Sequence, residues 1–174
     1  IPTDGIVRKT ALSIVKNANA KTSLQKAQAI YDWVVDNSYR DPAVRGCGRG
    51  DIKSMLESGN LGGKCADLNA LFVGLARAAG VPARDHYGLR IDDSASHKSL
   101  GQAGDITTAQ HCRAEFYLSG LGWVPVDPAD VHELALEEEL PLTNPRVVAL
   151  REKLFGAWEM NWVAFNHARD IVLA

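Results

Sequence analysis

One stretch constrains this chain more than any other. From Cys65 to Ala79 it reads CADLNALFVGLARAA, with Leu68, Leu71, Phe72, Leu75 and Ala79 recurring at helical spacing. Gly80 and then Val81-Pro82 stop the run. A helix this apolar belongs in the middle of a fold, and its first residue is a cysteine approached through Gly62-Gly63. The rest of the chain must therefore wrap a buried helix while keeping its N-terminus accessible.

The flanking sequence supplies two kinds of wrapping. Before the helix, Asp4 precedes a helical stretch over 5–19, and Thr22 or Ser23 can cap a second in which Ala27, Ile30, Tyr31 and Val34 share a face. Residues 39–50 read as loop, Asp51 caps a short helix ending near Gly59, and 59–63 form a flexible approach. After it, strands are expected over 83–91, 111–118 and 123–127, with a polar loop over 92–108. An acidic, weakly helical segment follows over 131–140, and 158–173 should add one or two more strands. Helices first and strands afterwards predict an α+β fold with an antiparallel sheet. At 174 residues without repeats or linkers, residues 1–174 are expected to form a single domain.

A thiol attacks as thiolate, and a helix N-terminus favours that anion through its dipole and unpaired N–H groups. Cys65 holds that position, although a buried free cysteine at a helix start is also an ordinary core residue. His111 opens one strand and Asp127 closes the next. An imidazole can exchange a proton with the thiol, and a carboxylate behind it fixes the tautomer. Parity is the condition. Pairing Leu118 with Trp123 would send His111 and Asp127 to opposite faces, so the connection needs an odd-numbered turn or a bulge. If it has one, Cys65 Sγ should lie within reach of one ring nitrogen, with the other directed at Asp127.

These residues sit in blocks that resemble the transglutaminase-like superfamily. The blocks are Gly62-Gly63-Lys64-Cys65-Ala66-Asp67, the run from Leu75 to Arg84, His111 to Tyr117, and Gly122 to Pro128, in the superfamily's order and spacing. The resemblance implies a papain-like Cys–His–Asp core, with helices at the N-terminus and a nucleophile-bearing central helix packed on an antiparallel sheet. It also implies roles: Cys65 as nucleophile, His111 as acid and base, Asp127 as orienting carboxylate. One departure stands out. Many relatives carry Trp two residues after the histidine where this chain has Arg113, a change expected to bear on substrate preference rather than on the triad.

The function implied is cysteine-dependent acyl transfer on amide bonds of peptides or proteins through a thioester on Cys65. Water as acceptor makes a protease or amidase; an amine makes a transglutaminase. The alternative is a catalytically silent peptide-binding module on the same fold. The chemistry needs no cofactor or metal, and a zinc site from Cys47, Cys65, His111 and Cys112 lacks paired ligand spacing. Cys112 is expected in the core on the face opposite His111, and Cys47 at the rim of the site or exposed. His86, His97, His132 and His167 read as surface or structural, and Trp33, Trp123, Trp158 and Trp162 as core. A net charge of -2 with no basic stripe argues against nucleic acid as partner. No run approaches the ~18 apolar residues of a membrane span. The resemblance is closest to bacterial proteins, many of them exported, so localisation leans that way.

Overall fold

The structure, a computed structural model, describes residues 1–169. Two helices lead, α1 (Gly5–Asn17) and α2 (Ser23–Asn37), the latter closed by a capping box between Thr22 and Gln25. A two-residue strand β1 (Tyr39–Arg40) follows, then α3 (Ile52–Ser58), capped by Asp51 and ended by Gly59 at φ 72°. Strand β2 (Gly62–Gly63) then leads directly into α4 (Cys65–Ala78). The remaining elements are β3 (Ala83–Arg90), β4 (Gln110–Leu118), β5 (Gly122–Val126), α5 (Pro128–Glu137), α6 (Pro145–Lys153) and β6 (Trp162–Asn166).

Strands β5, β4, β3 and β6 form, in that order, a four-stranded sheet with every pairing antiparallel. This is the α+β architecture expected from the sequence. Alternation along β4 sends Cys112, Ala114 and Phe116 towards α4, where Phe116 meets Phe72 edge-on with ring centroids 6.3 Å apart. Pro125 is tolerated because β5 is an edge strand, where a missing N–H breaks no inner ladder.

Some expectations shift. The segments 39–50 and 59–63 are tied together rather than loose, because Tyr39 and Arg40 pair in parallel with Gly62 and Gly63. The Tyr39 ring lies where a Gly62 Cβ would be, 2.4 Å from its nearest atom, so a larger residue at 62 would have to push that exposed ring aside. The acidic helix begins earlier than expected, at Pro128, because Asp127 caps it and Pro suits its first turn. Helix α6 was not anticipated. Of the strands expected over 158–173, β6 is present, and 170–173 lie outside the described residues. Trp123 is not core: it is 40% exposed, with the Arg84 guanidinium 4.0 Å from its ring centroid. Trp33, Trp158 and Trp162 are half-buried.

Candidate active site

The hairpin between β4 and β5 resolves the parity question. Leu118 pairs with Gly122, leaving Ser119, Gly120 and Leu121 as an odd-numbered turn, and the register holds to Ala114 opposite Val126. Continuing it by one residue sets Arg113 and Asp127 on one face, with His111 two residues before Arg113. The outcome is a hydrogen bond of 2.8 Å between His111 Nε2 and Asp127 Oδ2, with both side chains buried.

Asp127 does more than face the imidazole. Its Oδ1 accepts the N–H of Asp130, capping α5, and the Nδ2 of Asn69 at 3.2 Å. Asn69 stands one turn along α4 from Cys65 and also donates to the Cys112 carbonyl at 2.8 Å, locking α4 to β4. Asp130 adds a second carboxylate, 3.1 Å from His111 Nε2.

Cations surround this group. Arg90 bonds Asp130 and Glu133, and its Nη2 lies 3.4 Å from His111 Nδ1. A guanidinium has donors only, so this contact suits Nδ1 as an acceptor, while Nε2 faces the carboxylates. Burial pushes Asp127 and Asp130 each up to about 6, against the opposing pull of Arg113 and Arg90. Arg113 is 1% exposed and reaches Asp127 at 3.4 Å, with its guanidinium 4.9 Å from the Trp162 ring centroid. It braces the carboxylates from behind and is not among the residues lining the site cavity. The departure at Arg113 places a guanidinium beside Asp127, outside the lining of the cleft.

Cys65 begins α4 as the sequence suggests, and it lines a cavity of about 480 Å³ together with Cys47, Lys64, Arg90, His111 and Glu133. A cavity of about 650 Å³ beside α1 and α2 is larger but has no Cys or His in its lining. Among the described residues, no hydrogen bond joins Cys65 to His111. The Cys65 thiol instead lies 4.0 Å from the Cys47 carbonyl, and the sulfurs of Cys47, Cys65 and Cys112 all lie within 4.8 Å of one another. Cys112 is buried, as expected, and Cys47 is at the cavity rim. Hydrogen bonding among the three thiols holds the Cys47 thiol below its ordinary value and pushes the Cys112 thiol up.

A residue with no assigned role in the sequence builds the surroundings of Cys65. Asp67 Oδ2 accepts the Lys64 N–H at 3.0 Å, and Oδ1 accepts those of Arg49 and Gly50 at 2.9 and 2.7 Å. It straps the loop carrying Cys47 onto the start of α4, where the Ala66 N–H also bonds the Cys47 carbonyl at 2.9 Å. Gly48, at φ 91°, is obligatory, since a Cβ there would lie 1.8 Å from the Asp67 carboxylate.

Residues 8–128 match the profile of the transglutaminase-like superfamily. The chain belongs to that superfamily. A relative, an uncharacterized protein of Haemophilus influenzae, is 46% identical over 184 aligned residues. That alignment takes in 99% of this chain and 49% of the relative, so the chain spans about half its length. Among solved structures, the periplasmic domain of TgpA from Pseudomonas aeruginosa aligns with TM-score 0.56 and 19% identity, over 79% of this chain and 48% of that one. A candidate cysteine protease from Cytophaga hutchinsonii aligns with TM-score 0.51 and 20% identity, over 75% and 39%. At these identities the two likenesses establish the transglutaminase-like fold.

Proposed function

We propose that this chain, folding as one transglutaminase-like domain, is a cysteine-dependent acyl-transfer enzyme acting on amide bonds of peptides or proteins. The observation that carries the reading is the shared cavity: Cys65 at the N-terminus of α4 and His111, backed by Asp127, line the same polar cleft. Cys65 and His111, to which the superfamily's pattern assigns nucleophile and base, both line the cleft, and Asp127 is hydrogen-bonded to His111 outside its lining.

In the proposed reaction, His111 Nδ1 takes the Cys65 proton as Sγ attacks the substrate carbonyl carbon. Nε2 stays protonated against Asp127, so the imidazolium that forms is stabilised where its second proton already sits. Sγ and Nδ1 must close to hydrogen-bond reach across the cavity, and Arg90 Nη2, 3.4 Å from Nδ1, must give up that contact as the ring takes the proton. The Cys65 N–H, in the first turn of α4 where helical amides lack acceptors, supplies one oxyanion donor. His111 then protonates the departing amine as the C–N bond breaks, leaving a thioester on Sγ. Water or a second amine, deprotonated by His111, attacks the thioester and returns the thiol. No metal or cofactor takes part in these steps.

Whether water or an amine is the acceptor is read by one experiment. Peptides bearing Gln and Lys are incubated with the protein in the presence of a primary amine, and hydrolysis and amine incorporation are followed together by mass spectrometry. Either product, lost in Cys65→Ala, supports the reading and names the acceptor. Peptide binding without either product would establish the silent binding module instead.

A further inference from the structure

We propose that Cys47, Cys65 and Cys112 form a three-sulfur site for a thiophilic d10 cation, Zn²⁺ or Cu⁺, at the mouth of the cleft. The proposal does not rest on the catalytic reading. The three sulfurs come from the loop strapped down by Asp67, the start of α4 and the middle of the sheet, and all lie within 4.8 Å of one another. A metal–sulfur bond is about 2.3 Å, so three sulfurs on one ion stand roughly 4 Å apart. The observed cluster reaches that spacing by small side-chain rotations. A disulfide needs about 2.05 Å between two sulfurs and would leave the third aside.

The surroundings suit a thiolate complex. Two of the cysteines are buried and the third is half-buried, so the site is dry on one side, with an entry path through the cavity lined by Cys47 and Cys65. Three thiolates around one such cation carry net negative charge. Lys64 lines the same cavity together with Arg90 and Arg40, which are paired with Glu133, and Cys65 sits at the positive end of the α4 dipole. Thiolate ligands select Zn²⁺ and Cu⁺ over Mg²⁺ and Ca²⁺. The backbone is already fixed on two sides, by the Ala66 N–H on the Cys47 carbonyl and the Asn69 amide on the Cys112 carbonyl, at 2.9 and 2.8 Å. These bonds act as the outer support that metal ligands need. Ligation needs thiolates, so uptake releases whatever protons the ligating thiols still carry and strengthens as pH rises. Cys65 would be held by the ion, and the cleft closed to a substrate carbonyl, for as long as the ion is bound.

The test uses the reduced chain free of chelator, titrated with Zn²⁺ and, in a separate anaerobic arm, with Cu⁺. The expected result is one ion per chain in at least one arm, with X-ray absorption showing three sulfur neighbours at about 2.3 Å. The arm with the tighter binding names the ion. Cys47→Ser and Cys112→Ser should each weaken uptake at least about tenfold, as loss of a ligand requires. Cys47 is only half-buried, so its variant keeps the test open if Cys112→Ser fails to fold. No uptake at micromolar free ion in either arm would overturn the proposal. So would a shell with fewer than three sulfurs, or affinity unchanged in Cys47→Ser.

Discussion

Asp127 receives His111 Nε2 on one carboxylate oxygen at 2.8 Å and holds the first turn of α5 with the other at 3.1 Å. The residue proposed to orient the base is therefore also the one that starts the next helix, and the two roles separate in variants. Asp127→Asn keeps an oxygen for the α5 cap but turns an amide donor or a neutral acceptor towards Nε2. Turnover should fall by about 100-fold or more, yet less than the roughly 10⁴ of serine triads. Asp127→Ala loses the cap as well and should be about 1 kcal/mol less stable than Asp127→Asn. Steady-state kinetics and urea denaturation of the two variants check both statements. Equal stability would remove the capping role, and near-normal turnover in Asp127→Asn would remove the catalytic one.

Asp67 predicts a second pair of effects. All three of its hydrogen bonds are accepted from backbone N–H groups, so Asp67→Asn must set an NH₂ against at least one donor. The expected cost is about 1–3 kcal/mol for an orphaned buried group. Turnover should drop with it, because the loop beside Cys65 loosens. Thermal denaturation reads the first effect, and an unchanged Tm would mean that the strap contributes nothing.

The three-residue turn at Ser119–Gly120–Leu121 sets which face Asp127 takes. Deleting Gly120 shortens it to an even number and would rotate β5 by one residue against β4. Val126, fully buried, would be driven out of the core at about 1.5–3 kcal/mol, and the His111–Asp127 hydrogen bond would break as the carboxylate turned away. The deletion should unfold the chain at a markedly lower temperature than wild type. A Tm within a degree or two of wild type would show that the register is not fixed by the turn.

These three residues mark how far the sequence could be read. The buried helix was legible because an apolar face of 3.6 periodicity ends at Gly80, and Cys65 at its start needed no tertiary information. The parity rule was legible as a requirement, but turn length fixes register only once strand ends are known, and Gly122 rather than Trp123 proved to begin β5. Arg90, Asp130 and Glu133 were missed. One signal was present: Asp127, Asp130 and Glu133 recur every third residue along a helix and so share a face. Arg90 gave none, since its partners lie 40 and 43 residues away. A metal site using these three cysteines was considered from the sequence and set aside for the same reason. Its members come from three segments, and ligand spacing along the chain detects only sites built from local pairs.

His132 gives a pH prediction. It is buried against Ser38, 3.3 Å from its hydroxyl, and burial lowers its pKa from 6.5 to about 4. The unfolded chain takes up a proton near pH 6.5 that the folded chain refuses until about 4, so the stability His132 contributes is present at pH 7 and lost as pH falls. The loss is roughly 3 kcal/mol over that window. Asp85, Asp127 and Asp130, raised to about 6, act in the opposite sense, so the effect must be isolated by difference. The stability gap between wild type and His132→Gln should narrow by that amount between pH 7 and pH 4 in urea titrations. A gap independent of pH would mean that the ring titrates equally in both states.

The central claim is the thioester on Cys65, and rapid acid quench with intact-protein mass spectrometry tests it most directly. A turned-over peptide amide is mixed with wild-type protein and quenched during the first turnovers, and the adduct is mapped by digestion. The account predicts an acyl mass on Cys65, removed by hydroxylamine and absent from Cys65→Ala, with Cys47 and Cys112 unmodified. Turnover that persists in Cys65→Ala, or an acyl group found on Cys47, would contradict it.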